Sequence, residues 1–257
     1  MTDDIESAAL LLGSAEVQTW FLEGLREVAD THDISYPLIV IDDSDSSHDP
    51  STLSRLASLP CLRYAKERYA GDPNTYRDID SVDLLADAAI VRTTPRQVSE
   101  YRVAVPDDVV DRIATETNIV FHLGYGILTG DILTDPEYGV LSYHHGDLSE
   151  YRGGPPGFWE FLRGESSVGV TLQQLTEELD AGRVVAYGET DVTDASTWPE
   201  VREAMYAISP GLLTEGVTNI QDDAFEPGTP SSLGTVYSSS DIDVSVLLRF
   251  ALRSMLP

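Results

Sequence analysis

The sequence predicts an α/β protein: an open, mostly parallel, Rossmann-like sheet with helices on both faces. Three observations carry this. Short apolar runs alternate with segments of helical periodicity along most of the 257 residues. The first two apolar runs, residues 8–13 and 37–41, bracket one amphipathic segment, a β-α-β opening whose crossover should be right-handed. No internal repeat interrupts the alternation.

Residues 8–13 (AALLLG) are uniformly apolar, as a strand covered on both faces must be. Ser14 follows as a candidate N-cap. In 15–29, Val17, Trp20, Phe21, Leu25 and Val28 recur at helical spacing. Residues 37–41 (PLIVI) form the second strand. The stretch 42–50 (DDSDSSHDP) reads as a solvated loop, because its aspartates and His48 lack the spacing of a metal site. Residues 51–60 and 71–85 read as weakly patterned helix, and 88–91 as a strand. Pro106 opens a helix over 106–116, with Val109, Val110 and Ile113 on one face. A strand over 118–123 ends at the tight turn Gly124-Tyr125-Gly126. A strand over 139–145, a short helix over 155–163 and strands over 168–175 and 183–187 follow. Residues 198–220 are helical, with an interruption expected at Pro210-Gly211. An amphipathic helix spans 244–256.

The chain carries 44 acidic and 16 basic side chains, a formal net charge of −28, and Lys66 is its sole lysine. The acidic residues run the whole length. Such a surface suits molar salt, where the Debye length falls to about 3 Å and like charges are screened. A hydrophobic share of 42% argues for a packed core despite that charge. No basic stripe suggests a DNA or RNA partner, and a tRNA is disfavoured. No run of about 18 apolar residues predicts a membrane helix. The acidic start lacks the basic region of a signal peptide. One cysteine, Cys61, excludes an internal disulfide and a cysteine-based zinc site. A cytoplasmic protein without a metal is expected. Oligomeric state is not legible.

In parallel sheets, sites gather beyond the carboxyl ends of strands. Two such places are polar here: residues 142–147 (SYHHGD) and the loop holding Asp180. A histidine aimed by a carboxylate serves as general acid/base or oxyanion stabiliser. A hydrogen-bonded structural histidine is an equally good reading of either residue. Tyr125, Tyr143 and Trp159 are candidates for stacking on a ligand, and equally for packing.

Residues 124–188 carry a longer pattern. Leu148, Tyr151-Arg152-Gly153, Pro156, Trp159, Gly164-Glu165, Gly169-Val170-Thr171 and Asp180-Ala181-Gly182 fall in a fixed order. The segment resembles the formyltransferases that use 10-formyltetrahydrofolate, a family that includes methionyl-tRNA, glycinamide ribonucleotide and sugar-amine formyltransferases. Residues 13–16 (GSAE) look like its first strand-to-helix turn, and 234–243 like the linker of the methionyl-tRNA and sugar branches.

The resemblance implies a catalytic domain over 1–192, with a helical extension or linker over 193–257 packed on it. It implies transfer of a formyl group from 10-formyltetrahydrofolate to a primary amine, either a small molecule such as an amino-sugar nucleotide or a methionyl-tRNA-like acceptor. By position, His144 is the acid/base and oxyanion donor, and Asp180 orients it. Gly124, Tyr125, Gly126, Ile127, Leu128, Thr176, Leu179 and Asp180 line the folate site. Arg152 and Gly153 face the acceptor. Ser142 stands where the family carries asparagine. A hydroxyl is shorter than an amide, and loss of one oxyanion donor costs about 10²–10³ in rate. His145 and Asp147 are the residues that would compensate, although neighbours along a strand face opposite sides. The substitution also leaves open a folate- or nucleotide-binding homologue with weakened catalysis, or a 10-formyltetrahydrofolate hydrolase.

Overall fold

The computed structural model describes residues 4–44, 71–178, 181–230 and 232–255. His48, the helix expected over 51–60, Cys61, Lys66, Leu179 and Asp180 lie outside the described residues.

Seven strands form the central sheet: β1 (Ser7–Leu12), β2 (Ser35–Asp42), β3 (Ala89–Thr93), β4 (Ile119–Leu123), β5 (Val140–His144), β6 (Ser167–Gln174) and β7 (Arg183–Asp191). Their spatial order is β7-β6-β5-β4-β1-β2-β3. The five strands from β3 to β5 are parallel, β6 runs antiparallel to β5, and β7 antiparallel to β6. The helices are α1 (Thr19–His32), α2 (Asp107–Glu116), α3 (Phe158–Arg163), α4 (Trp198–Gln221) and α5 (Val244–Met255).

The uniform apolarity of β1 follows from its place in the middle of the sheet. Ala8, Leu10 and Leu12 join the core beneath α1 and α4, which includes Trp20, Phe21, Leu25, Met205 and Leu213. Ala9 and Leu11 face the other way, onto Val109, Val110 and Ile113 of α2. Both sets are fully buried. Each large side chain so buried contributes roughly 1.5–3 kcal/mol relative to exposure.

Three expectations are corrected. Ser14 does not cap α1: its hydroxyl accepts the Glu16 N–H at 3.1 Å in a local turn, and the helix begins at Thr19 behind Gln18. Residues 16–18 are extended and pair antiparallel with 76–78. Hence 71–85 is not a helix. After that short strand, Asp78 accepts the Asp80 N–H at 2.9 Å and starts two 3-10 turns. Third, α4 runs unbroken through Pro210. Proline removes one main-chain bond, but neighbouring groups are tied in other ways. The Ser209 carbonyl accepts the Tyr143 hydroxyl at 2.7 Å, and the Ser209 hydroxyl donates to the Met205 carbonyl at 2.9 Å. A capping box of Thr197 and Glu200 closes the N-terminus of α4.

Helix α4 thus belongs to the main core. Farther on, residues 235–237 pair in parallel with 151–153. Val246 of α5 packs with Tyr151, Phe158, Trp159 and Leu162 in a separate small cluster.

Candidate active site

Strand order reverses between β1 and β4, the place where open parallel sheets leave a crevice. The Gly13 N–H donates to the Leu123 carbonyl at 2.9 Å. A Cβ on Gly13 would lie 2.1 Å from the Gly124 carbonyl oxygen, so only glycine fits this contact. A cleft of about 520 Å³ opens here, lined by Gly13, Ser14, Glu16, Gln18, Tyr76 and Gly124 among others.

A second cleft, of about 110 Å³, lies at the ends of β4 and β5. Gly126, Ile127, Leu128, Ser142, Thr176 and His122 line it. It gathers the predicted donor-site residues from both segments around Ser142. Gly124 is not on it and belongs to the larger crevice. Tyr125 is not on it either: only 1% exposed, it packs in the core beneath α2, because the turn sends its ring inward. Glu177 holds the two segments together. Its carboxylate accepts from the Thr129 hydroxyl at 2.7 Å, the Gly130 N–H at 2.8 Å and Arg102 at 3.1 Å. The Thr129 and Gly130 bonds hold its pKa below the usual carboxylate range.

Ser142 and His122 are register partners on adjacent parallel strands. The Ser142 hydroxyl lies 3.0 Å from His122 Nδ1. His122 is buried, and burial pushes its pKa down to about 4, the Gly126 backbone weakly opposing. The ring is therefore neutral at physiological pH. Its Nε2 is buried and has no hydrogen-bond partner among the described residues.

His144 lies two residues along β5 from Ser142 and is also buried. Its Nε2 is 2.7 Å from the Tyr151 carbonyl oxygen. A carbonyl only accepts, so Nε2 carries the proton in that bond. Gly146 leaves room for the ring. With Arg152, Gly153 and Glu160, His144 borders a void of only about 10 Å³. Gly153 has φ +77°, and a Cβ there would lie 2.0 Å from the Tyr237 carbonyl oxygen. The strand pairing thus accounts for this glycine. Glu160 is 4% exposed, and burial raises its pKa to about 7.

His145 turns to the opposite side, against Trp20 and Tyr206, with Nε2 3.1 Å from the Ser209 hydroxyl. Burial lowers its pKa to about 3. It does not reach the Ser142 side. Asp147 accepts from the Ser149 N–H at 2.7 Å and the Ser149 hydroxyl at 2.6 Å, holding its own loop. Tyr143 and Trp159 are packing residues: Tyr143 bonds to Ser209, and Trp159 stacks on Tyr237 with centroids 4.5 Å apart. No group of three metal-ligating side chains occurs among the described residues, and no described helix is long and apolar enough to cross a membrane.

Sequence reasoning missed His122, Glu177 and Glu160. The signal for His122 was a single polar residue in the apolar run IVFHL, but its register with Ser142 is not written locally.

The family model described as formyl transferase matches residues 78–215, more than half of the chain. The chain belongs to the formyl transferase family. Methionyl-tRNA formyltransferase of Bacillus licheniformis is 31% identical over 116 residues, 45% of this chain and 37% of that protein. The Bacillus subtilis protein of the same name is 26% identical over 127 residues, 49% of this chain and 40% of its own. The chain thus spans about two fifths of the length of these relatives. The fold is similar to that of an N-formyltransferase from Helicobacter canadensis, solved with folinic acid and dTDP-3-aminofucose. That match has TM-score 0.57 and 12% identity, over 98% of this chain and 81% of the other.

Proposed function

We propose that this chain transfers a formyl group from 10-formyltetrahydrofolate to a small primary amine. One observation carries the reading: Ser142 faces a cleft bordered by both predicted donor-binding segments, with His144 two residues along the same strand. Ile127, Leu128 and Leu175 offer apolar walls, and Thr176 and Gln173 offer polar groups, a lining suited to one end of a flat heteroaromatic donor. Gly124 lies on the adjoining crevice and Tyr125 in the core beneath α2.

The chemistry places two demands on the protein. The amine lone pair attacks the formyl carbon, forming the new C–N bond, while the carbonyl π pair moves onto oxygen. Collapse restores the carbonyl and breaks the bond to the donor nitrogen, which leaves with a proton as the acceptor nitrogen gives one up. Ser142 supplies a hydrogen bond to the developing oxyanion. His144 moves the proton at Nδ1, its Nε2–H held by the Tyr151 carbonyl. The resemblance gives Asp180 the part of supporting His144 and Leu179 a part in donor binding; both lie outside the described residues. Arg152 and Gly153 stand on the acceptor side, on a segment stiffened by its pairing with 235–237. The acidic surface supports a small acceptor such as an amino-sugar nucleotide over a tRNA. The composition supports a salt-rich cytoplasm as the setting.

The test is single-turnover consumption of 10-formyltetrahydrofolate in molar potassium chloride, with and without a panel of amines. Amine-dependent transfer that His144→Ala abolishes is the expected result. Formate release independent of any amine would replace the reading with hydrolysis.

A further inference from the structure

Ser142 is too short to replace an amide unaided, yet it is not alone. His122 reaches it from the adjacent strand at 3.0 Å, and both line the same cleft. The proton's position on His122 decides what the pair can do. Among the described residues, His122 Nε2 is buried and has no partner at hydrogen-bond geometry. A proton there would be an orphaned donor, a rare and costly arrangement. A proton on Nδ1 has an acceptor in the Ser142 hydroxyl oxygen. In that tautomer the serine's own hydrogen is released from the ring and is available to the cleft.

We propose that His122 is a positioning residue that donates its Nδ1 proton to Ser142, aiming the serine hydroxyl hydrogen at the formyl oxygen, so that the two side chains do together what one amide does. This rests on the formyl-transfer reading for its catalytic meaning, but the hydrogen-bond arrangement stands apart from it. The pair spans two strands locked in register, so the hydroxyl is fixed by the sheet and not by a loop.

Nitrogen-15 NMR of the histidine side chains and kinetics of a variant set test the two parts separately. In the wild-type chain, His122 should be the Nδ1-protonated neutral tautomer, assigned by its loss in His122→Leu. His122→Leu should lower kcat by about 10²-fold with little change in KM for the formyl donor. His122→Asn, which keeps a donor close to the Nδ1 position, should recover much of that loss. The Ser142→Asn change should make His122 dispensable, so that the S142N/H122L double variant is within a few-fold of S142N alone. A wild-type chain with the Nε2 tautomer, or a His122→Leu variant with unchanged kcat, overturns the proposal. If the wild-type chain transfers no formyl group to any amine, the functional reading fails, and the tautomer alone then upholds or overturns the His122–Ser142 arrangement.

Discussion

A Cβ placed on Gly146 would lie 2.7 Å from His144 Nε2 and 3.1 Å from the Tyr151 carbonyl oxygen, between the two partners of that hydrogen bond. Gly146→Ala should therefore push the imidazole off its acceptor. We expect kcat for formyl transfer to fall at least ~10-fold, since small misplacements of a reacting group are costly. Thermal unfolding, measured alongside, should move only a few degrees. Glu160 makes a prediction about pH. Its folded pKa of about 7 lies above the usual 4.5, so the fold prefers the protonated form. Its contribution to stability is present below 4.5 and is lost as pH rises through 7. Glu160→Gln should therefore gain on the wild type by about 3 kcal/mol between pH 4.5 and pH 8 in denaturant unfolding at fixed salt. His122 and His145 act in the opposite sense. Both are held neutral by burial, at about 4 and about 3, so stability is lost as pH falls below 6.5. Ser142 and His144 were legible as site candidates because an ordered motif surrounds them. His122 was not, because only the pairing of β4 with β5 brings it there.

The crossing of α1 on α4 is set by one small residue. A Cβ on Gly24 would lie 3.3 Å from the Pro210 Cα, so the two helix backbones approach closely at this point. Trp20 stacks on Tyr206 nearby, with centroids 5.4 Å apart and rings 3° from parallel. Gly24→Leu should force the helices apart and cost about 1–3 kcal/mol in denaturant unfolding, by overpacking. The same contact explains what local rules missed. Proline predicted a break in α4, but the helix is held on both sides of it by α1 and by Tyr143. The parallel strands were legible because burial on both faces makes them uniformly apolar. The ribbon of 16–18 with 76–78 was not, since each three-residue segment gains its identity only from a distant partner.

Over the whole molecule, a formal charge of −28 is borne by a fold with an ordinary apolar interior. Repulsion among surface carboxylates opposes the compact state until salt screens it. Raising potassium chloride from ~0.2 M to ~3 M should raise the thermal midpoint markedly, and most of the gain should come below ~1 M, where the Debye length changes most. A midpoint insensitive to salt over that range would count against an acidic surface adapted to brine. The net charge itself is legible in the sequence, because it is a sum and needs no geometry.

The three residues Tyr151–Gly153 lie outside the main sheet, and their ladder is completed by residues more than eighty positions downstream. A growing chain can assemble β1 through β7 before it has synthesised that partner. The corner that carries Arg152 is therefore completed late, only once residues 235–237 have been made and have closed the loop back to it. It should also be the first part to open in the native state. Amide hydrogens of 151–153 should exchange faster than those of β4 and β5, because this corner hangs on a latch supplied by the late-made segment.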